Sequence, residues 1–366
     1  MEHKKKNTII ISGGGTGGHI YPAIAIANQL KAENPELNIL FVGANGKMEM
    51  QKVPDAGYRI IGLNITGIQR SLSPKNLLFP FRLLGAYLKA RKIIRENKPL
   101  CVIGVGGYAS GPIMLAAQHK KVPTVIQEQN SFAGITNKNL AKKAKAICVA
   151  YEGMEKYFPK DRIVFTGNPV RKDILDVEGK REKGYKNFDL DPNRKTILAI
   201  GGSLGALSIN ESLKSAVDQL YQNEGIQILW QTGKYFYPKV KDLTKGNVHV
   251  MEFIREMDLA YSVADVVISR AGALSISELC LVGKPSILVP YPHAAEDHQT
   301  HNAMSLVSRD AAEMISDSEA RQKLVNALFN LMKDEGKQQT LAANILKYGK
   351  PDAAKEIVAE INKVIN

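Results

Sequence analysis

Seven residues near the N-terminus, Gly13-Gly14-Gly15-Thr16-Gly17-Gly18-His19, are the first whose types and spacing suit chemistry. Glycines let backbone N–H groups come close to a ligand. A helix starting behind them adds a partial positive charge suited to a phosphate or a developing oxyanion. The flanks fit that geometry: Thr8-Ile9-Ile10-Ile11 reads as a strand and Pro22-Ala23-Ile24-Ala25-Ile26-Ala27 as a helix. Gly13, Gly15 and Gly18 also satisfy G-x-G-x-x-G, a dinucleotide fingerprint that wants an acid about 20 residues on. Here the second strand, Ile39-Leu40-Phe41-Val42, runs into Gly43-Ala44-Asn45-Gly46 with no acid at its tip. A phosphate loop fails as well, because His19 stands where its Lys should. The turn is expected to approach a ligand, but not as a redox-cofactor site.

The elements that must position this turn alternate in type. Strand-like apolar runs fall at 8–11, 38–42, 100–105, 122–126, 145–149 and 162–165, with helical patterns between most of them. That alternation predicts a parallel sheet covered on both faces. Gly167-Asn168-Pro169-Val170-Arg171 breaks the pattern, and a charged stretch from Asp173 to Arg194 marks an expected domain boundary. The design then restarts with Thr196-Ile197-Leu198-Ala199-Ile200, a second turn Gly201-Gly202-Ser203-Leu204-Gly205-Ala206, and a helix from about Ile209. Further strands are expected at 226–231, 247–251, 265–268 and 286–289, and a last helix at about 351–365. Both halves therefore open as strand, glycine turn, helix. Two doubly wound α/β domains of this kind bind ligands at the carboxyl ends of their strands, and a hinged pair suits an enzyme that joins two substrates.

Composition narrows the class. The chain has 366 residues, 44% of them hydrophobic, as in a soluble globular protein of two ordinary domains. Met1-Glu2-His3-Lys4-Lys5-Lys6 leads into the first strand without a signal-peptide cleavage site, and cytosolic residence is expected. Cys101, Cys148 and Cys280 are too few and too scattered for a disulfide framework or a zinc site. Residues 1–170 hold 24 Lys and Arg against 10 Asp and Glu, and residues 171–366 hold 25 against 26. The whole net charge of +13 thus sits in the first half. A basic face serves nucleic acid, an anionic membrane surface, or nothing beyond solvation.

Asn76 to Lys98 departs from the alternation. Leu77, Leu78, Phe79, Phe81, Leu83, Leu84, Tyr87 and Leu88 mingle there with Arg82, Lys89, Arg91, Lys92 and Arg95. Two readings compete: a core helix with a solvated basic face, and a surface-seated membrane contact. The basic first half favours the membrane.

Several stretches in one order resemble a single family. They are Gly13–His19 with Tyr21-Pro22-Ala23; Glu128-Gln129-Asn130; Gly167–Arg171; and Gly201–Ala206. Ser269-Arg270-Ala271-Gly272-Ala273 through Ser277-Glu278 follows, then Glu296-Asp297-His298-Gln299 with Asn302. From about residue 8 to the last helix the chain is similar to the MurG family, membrane-associated N-acetylglucosaminyltransferases of bacterial peptidoglycan synthesis. The resemblance implies the GT-B glycosyltransferase architecture, with two Rossmann-like domains facing a cleft. Residues 1–168 would be the acceptor and membrane domain, with the helix at about 350–366 packing back on it, and residues 169–349 the UDP-sugar domain. It implies metal-independent, inverting transfer from UDP-N-acetylglucosamine to undecaprenyl-pyrophosphoryl-N-acetylmuramoyl-pentapeptide (lipid I), giving lipid II. It implies no cofactor, no metal and no nucleic acid. The implied place is the cytoplasmic face of the inner membrane, against an anionic surface and beside other cell-wall synthesis proteins.

Inversion in one displacement needs a base near the acceptor hydroxyl. His19 suits it, since an imidazole titrates near neutrality and a helix start keeps it neutral. Glu128 is the rival. Without a metal, backbone N–H groups, a helix dipole and Arg must hold the departing diphosphate. The resemblance places Arg171 and Ser203 on the donor, Glu278 on the ribose hydroxyls, and Ile254 with Ala273, Leu274, Ser275, Ile276 and Ser277 on uracil and phosphate. Gln299 would read the sugar, with Thr16, Gly17, Gly18 and Asn130 completing the site. Pro292-His293-Ala294-Ala295 is about one residue longer than the commonest family spacing, which leaves His298 as the alternative to Gln299. Leu77, Leu78, Phe79, Phe81 and Arg82 are the expected membrane contacts. Other readings are a glycolipid transferase with a diacylglycerol acceptor, a nucleotide-sugar epimerase, and a non-enzymatic sugar-nucleotide-binding scaffold. An NAD enzyme ranks last.

Overall fold

Ile9, Ile10 and Ile11 are fully buried, as a β-branched run covered on both faces requires. In the computed structural model, which describes residues 7–67 and 79–365 apart from the side chain of Ala295, they form β1 (Thr8–Gly13). The period of two divides them. Ile9 and Ile11 pack with Ile20, Ala23, Ile26 and Ala27 of α1 (Gly17–Glu33), while Ile10 joins the opposite layer. Each such side chain contributes about 1.5–3 kcal/mol by leaving water.

Around β1 run β2 (Asn38–Ala44), α2 (Glu49–Asp55), β3 (Arg59–Leu63), α3 (Phe79–Asn97), β4 (Cys101–Gly106), α4 (Ser110–His119), β5 (Thr124–Glu128), α5 (Ile135–Ala141), β6 (Ala146–Val149) and β7 (Ile163–Phe165). The seven strands are parallel in the order β3-β2-β1-β4-β5-β6-β7, with Ile9 opposite Ile39 on one side and Cys101 on the other. The order reverses between β1 and β4, and the carboxyl ends of strands at such a switch are where these sheets bind ligands.

The second sheet repeats the plan. It comprises α6 (Arg181–Phe188), β8 (Lys195–Ile200), α7 (Leu207–Ser215), α8 (Val217–Gln222), β9 (Ile226–Gln231), β10 (Val248–Met251), α9 (Met257–Val263), β11 (Val266–Ser269), α10 (Ala273–Val282), β12 (Ser286–Leu288), α11 (His298–Val307), β13 (Glu313–Met314), α12 (Ala320–Lys333) and α13 (Glu335–Leu346). Its parallel order is β10-β9-β8-β11-β12-β13. In β8, Leu198 and Ile200 face one layer and Ile197 and Ala199 the other.

The chain falls into two compact units, Met1–Val170 with Pro351–Asn366, and Arg171–Lys350. The closing helix, α14 (Ala353–Ile365), belongs to the first, where Ile357, Val358 and Ile361 are buried in the layer of α1. The charged stretch from Asp173 to Arg194 is not merely a connector. Tyr185 and Phe188 of α6, with Leu190, enter the core of the second unit. Two strands had no sequence reading: β3, where Arg59 and two half-buried Ile residues obscure the pattern, and β13, which is two residues long. Among the described residues, no helix is long and apolar enough to cross a membrane.

Candidate active site

The first glycine turn lies at the carboxyl end of β1, beside the switch to β4. Thr16 is extended (φ −145°, ψ 159°) at the start of α1, and its hydroxyl meets His19 Nδ1 at 3.2 Å instead of capping the helix. Gly17 and Gly18 occupy the first turn of α1, where backbone N–H groups have no acceptor within the helix. His19 is half-buried. Its imidazole edge lies over Gly106, the last residue of β4: a β-carbon there would stand 2.8 Å from Cδ2 and 3.0 Å from Nε2. Gly106 has φ +102°, which glycine alone adopts readily.

Behind this turn sits a residue with no sequence-based role. Glu49, the first of α2, is fully buried, and its carboxylate accepts from Gly15 N (3.1 Å) and Ala44 N (3.0 Å). Gly14 and Gly43 make its slot, since a β-carbon on either would collide with it. The acid absent from the tip of β2 is thus supplied five residues beyond Ala44, but both oxygens are spent on the protein. No ribose can reach it. Nothing in the sequence spacing singled it out, because its meaning arises from two glycines of different segments meeting around it.

Glu128 ends β5 and is also buried. One oxygen accepts from Asn130 N (3.1 Å) and Asn130 Nδ2 (3.4 Å), the other from Gly134 N (3.1 Å) and Asn137 Nδ2 (2.9 Å). Burial raises its pKa above the ordinary carboxylate range, against the pull of these donors. The carboxylate ties the loop after β5 to the start of α5. Beside it runs a chain of buried amides: Gln127 Nε2 donates to Asn168 Oδ1 (2.9 Å), and Asn168 Nδ2 to the Gln129 carbonyl (3.0 Å).

In the second unit the loops after several strands converge. The turn after β8 is pressed onto the loop after β9. Gly205 has φ +82°, and a β-carbon on it would strike the Thr232 carbonyl. Gln231 Nε2 donates to the Gly202 carbonyl (3.0 Å), and its Oε1 accepts from Ile254 N (2.9 Å). Ser203 and Ile254 are therefore brought together by a glutamine that sequence reading passed over. Ser203 is exposed; Ile254 is buried with its N–H engaged.

Ala273, Leu274, Ser275, Ile276 and Ser277 form the first turns of α10, which follows β11 and carries no side-chain cap. Its leading N–H groups face outward from the helix start, a geometry suited to an anion. Glu278 lies in the second turn of α10. Its side chain is 15% exposed, accepts from the Tyr261 hydroxyl at 3.0 Å, and pairs with Arg171 at 3.7 Å. Burial raises the Glu278 pKa and Arg171 opposes it. Burial, with Glu278 beside it, holds the Tyr261 phenol well above its usual range. Arg171 also lies 3.9 Å from Asp173.

Gln299, second in α11, accepts from Tyr291 N at 2.9 Å, and His298 precedes it. The approach is strained: Glu296 (φ 54°) and Asp297 (φ 52°) both take left-handed backbone. Arg270 braces this region by donating to the Val289 and Pro290 carbonyls (3.0 and 3.1 Å), pairing with Asp317 and stacking on Tyr291. Asn302 is buried against the Ala271 carbonyl (3.4 Å).

Of the expected membrane contacts, Leu77 and Leu78 lie outside the described residues. Phe79 opens α3 half-buried, and Phe81 and Arg82 are exposed. The helix buries Ala86, Ala90, Ile93 and Ile94 and turns the opposite stripe outward. Phe81 (73% exposed), Leu84 (56%) and Leu88 (53%) follow at helical spacing, leading to Arg91, Lys92 and Arg95. Neither competing description of this segment covers it alone: one face is core, the other an apolar patch with a basic end.

The glycosyltransferase family 28 N-terminal domain matches residues 9–149, and the C-terminal domain of the same family matches residues 196–357. The UDP-N-acetylglucosamine--N-acetylmuramyl-(pentapeptide) pyrophosphoryl-undecaprenol N-acetylglucosamine transferase of Cytophaga hutchinsonii is 55% identical, over 100% of this chain and 99% of its own length. The chain belongs to the MurG family. The enzyme of the same name from Bacteroides thetaiotaomicron is 51% identical over 99% of this chain and 98% of its own. A crystal structure of MurG from Acinetobacter baumannii is 31% identical, with a TM-score of 0.79, covering 98% of this chain and 99% of that one. The two Rossmann-like sheets are accordingly those of the GT-B class.

Proposed function

We propose that this chain transfers N-acetylglucosamine from UDP-N-acetylglucosamine to the C4 hydroxyl of lipid I, forming lipid II. The end-to-end match to transferases of that name carries the reading. The acceptor oxygen attacks the anomeric carbon, the bond to the β-phosphate breaks, and UDP departs with inversion. The acceptor proton passes to a base.

Of the two candidates, His19 is the better placed. Its imidazole is half-buried with Thr16 at Nδ1, whereas both Glu128 oxygens are occupied by protein donors. Glu128 then serves by shaping the loop that carries Asn130. On the second unit, the N–H groups at the start of α10 and of the turn holding Ser203 receive the diphosphate, with Arg171 adding charge. Glu278 accepts the ribose hydroxyls, the Ile254 backbone faces uracil, and Gln299 reads the sugar. On the first unit, Thr16, Gly17, Gly18 and Asn130 are the donor contacts in this reading, and no metal is needed.

The outward stripe of α3 seats the first unit on an anionic membrane at the cytoplasmic face, with Phe81, Leu84 and Leu88 entering the headgroup region. The charge distribution supports this. The first unit holds 26 Lys and Arg against 13 Asp and Glu, the second 23 against 23.

The test is UDP release from UDP-N-acetylglucosamine in excess EDTA, with and without a lipid I analogue. Acceptor-dependent release yielding a β-linked disaccharide is expected. Release with diacylglycerol instead, or conversion of the donor without any acceptor, would overturn the assignment.

A further inference from the structure

Gln129 is buried, and its amide orientation is set by three acceptors. Nε2 donates to the Val105 carbonyl at 2.6 Å, to the Gln127 carbonyl at 3.2 Å, and to Gln127 Oε1. Flipping the amide would turn Oε1 onto three oxygens, so Oε1 must point the other way. There it accepts no hydrogen bond from any described residue. A buried carbonyl oxygen without a donor is costly and calls for explanation.

The direction in which it points supplies one. A β-carbon on Gly106 would lie 3.5 Å from Gln129 Oε1 and 3.0 Å from His19 Nε2. Because residue 106 is glycine, no side chain displaces the imidazole edge or the orphaned oxygen, both of which lie within 3.5 Å of that one point. The opposite ring nitrogen, Nδ1, is the one that meets the Thr16 hydroxyl.

We propose that Gln129 is a positioning residue for His19: its Oε1 takes the Nε2–H of the neutral imidazole, directly or through one water. The tautomer follows from that bond, because a hydrogen on Nε2 leaves the lone pair on Nδ1. At rest the Thr16 hydroxyl donates to Nδ1. In the reaction the acceptor hydroxyl takes its place, and its proton moves to Nδ1 as the oxygen bonds to the sugar. The resulting imidazolium carries two N–H groups, and Gln129 Oε1 remains bound to one of them. The inference rests on His19 being the base. It gives that base the third group which orients bases in nucleophile-activating sites generally.

The test is ¹⁵N NMR of the full-length protein labelled at histidine, with the His19 signals assigned by their loss in His19→Ala. Above the imidazole titration, Nε2 protonated and Nδ1 bare is the expected state. A hydrogen on Nδ1 in the wild-type protein overturns the proposal. Gln129→Leu is expected to shift the population toward the other tautomer and to lower kcat about tenfold or more, while the donor KM stays within about twofold. An unchanged tautomer in that variant also overturns it. Should Gln129→Leu fail to fold, Gln129→Met, which also lacks the Oε1 acceptor and puts no oxygen against the three carbonyl groups, takes its place; an unchanged tautomer there counts equally against the proposal. The base assignment fails separately, through wild-type kcat in His19→Ala, which would leave the tautomer result standing.

Discussion

Gly13–His19 in the first unit and Gly201–Ala206 in the second both leave a buried parallel strand at the point where their sheet reverses order, and both lead into a helix without a side-chain cap. What backs each turn differs. Behind the first stands the buried Glu49 carboxylate, which consumes the Gly15 N–H and places negative charge beneath the turn. Behind the second stand neutral groups, the Thr232 carbonyl and the Gln231 amide. The proposed function accordingly puts the diphosphate over the neutral backing. The first turn presents a side chain that can take a proton. A glycine turn thus specifies only how near a ligand can come; the residues packed under it decide which ligand.

That division of labour has graded consequences. His19→Ala should cost kcat about 10²–10⁴-fold, the usual worth of a positioned base, with donor KM little changed; steady-state kinetics with a lipid I analogue measures both. Glu128→Ala acts on the fold. It strands the Asn130, Gly134 and Asn137 donors and should lower stability by about 3 kcal/mol in urea titration, whereas His19→Ala should leave stability nearly unaltered. Equal stability losses in the two variants would erase the distinction between base and platform.

On α3, changing Phe81, Leu84 and Leu88 together to Ser should reduce partition onto anionic vesicles about tenfold or more without lowering Tm, since all three are exposed. The same changes in a buried core helix would unfold it. The smallest effect concerns pH. Burial holds the Glu278 carboxyl above the ordinary range, so folding favours its protonated form. That contribution is complete below the unfolded Glu value of about 4.3 and is lost as pH rises through the higher folded value. Glu278→Gln lacks it, so wild-type Tm minus variant Tm should fall as pH rises above about 4.3.

The alternation of apolar runs read out most strands within a residue or two, because buried parallel strands are nearly continuous in Ile, Val and Leu. β3 and β13 escaped, being short and only partly buried. The residues of the two turns were visible as glycine clusters, and Arg171 and Glu278, which lie 107 positions apart, became a pair only once the sheet brought them together. Glu49 and Gln231 were not legible at all, and Gln129 was visible only as the middle of Glu128-Gln129-Asn130, without a role. Each is a polar residue whose partners come from other segments: Gly15 for Glu49, Val105 for Gln129, Ile254 for Gln231. Local periodicity carries no record of such meetings. The outward stripe of α3 was legible as composition but not as direction, which depended on Ala86, Ala90, Ile93 and Ile94 finding the core.

The assignment of nucleotide to the second unit and base to the first is tested most directly by calorimetric titration of UDP into three proteins: wild type, His19→Ala and Glu278→Ala. Loss of the charged ribose contact at about 2.7 kcal/mol predicts a Kd about 100-fold weaker for Glu278→Ala. His19→Ala should bind UDP within about twofold of wild type, because its role begins only when the acceptor arrives. Equal weakening in both variants, or full-strength binding by Glu278→Ala, would contradict that division.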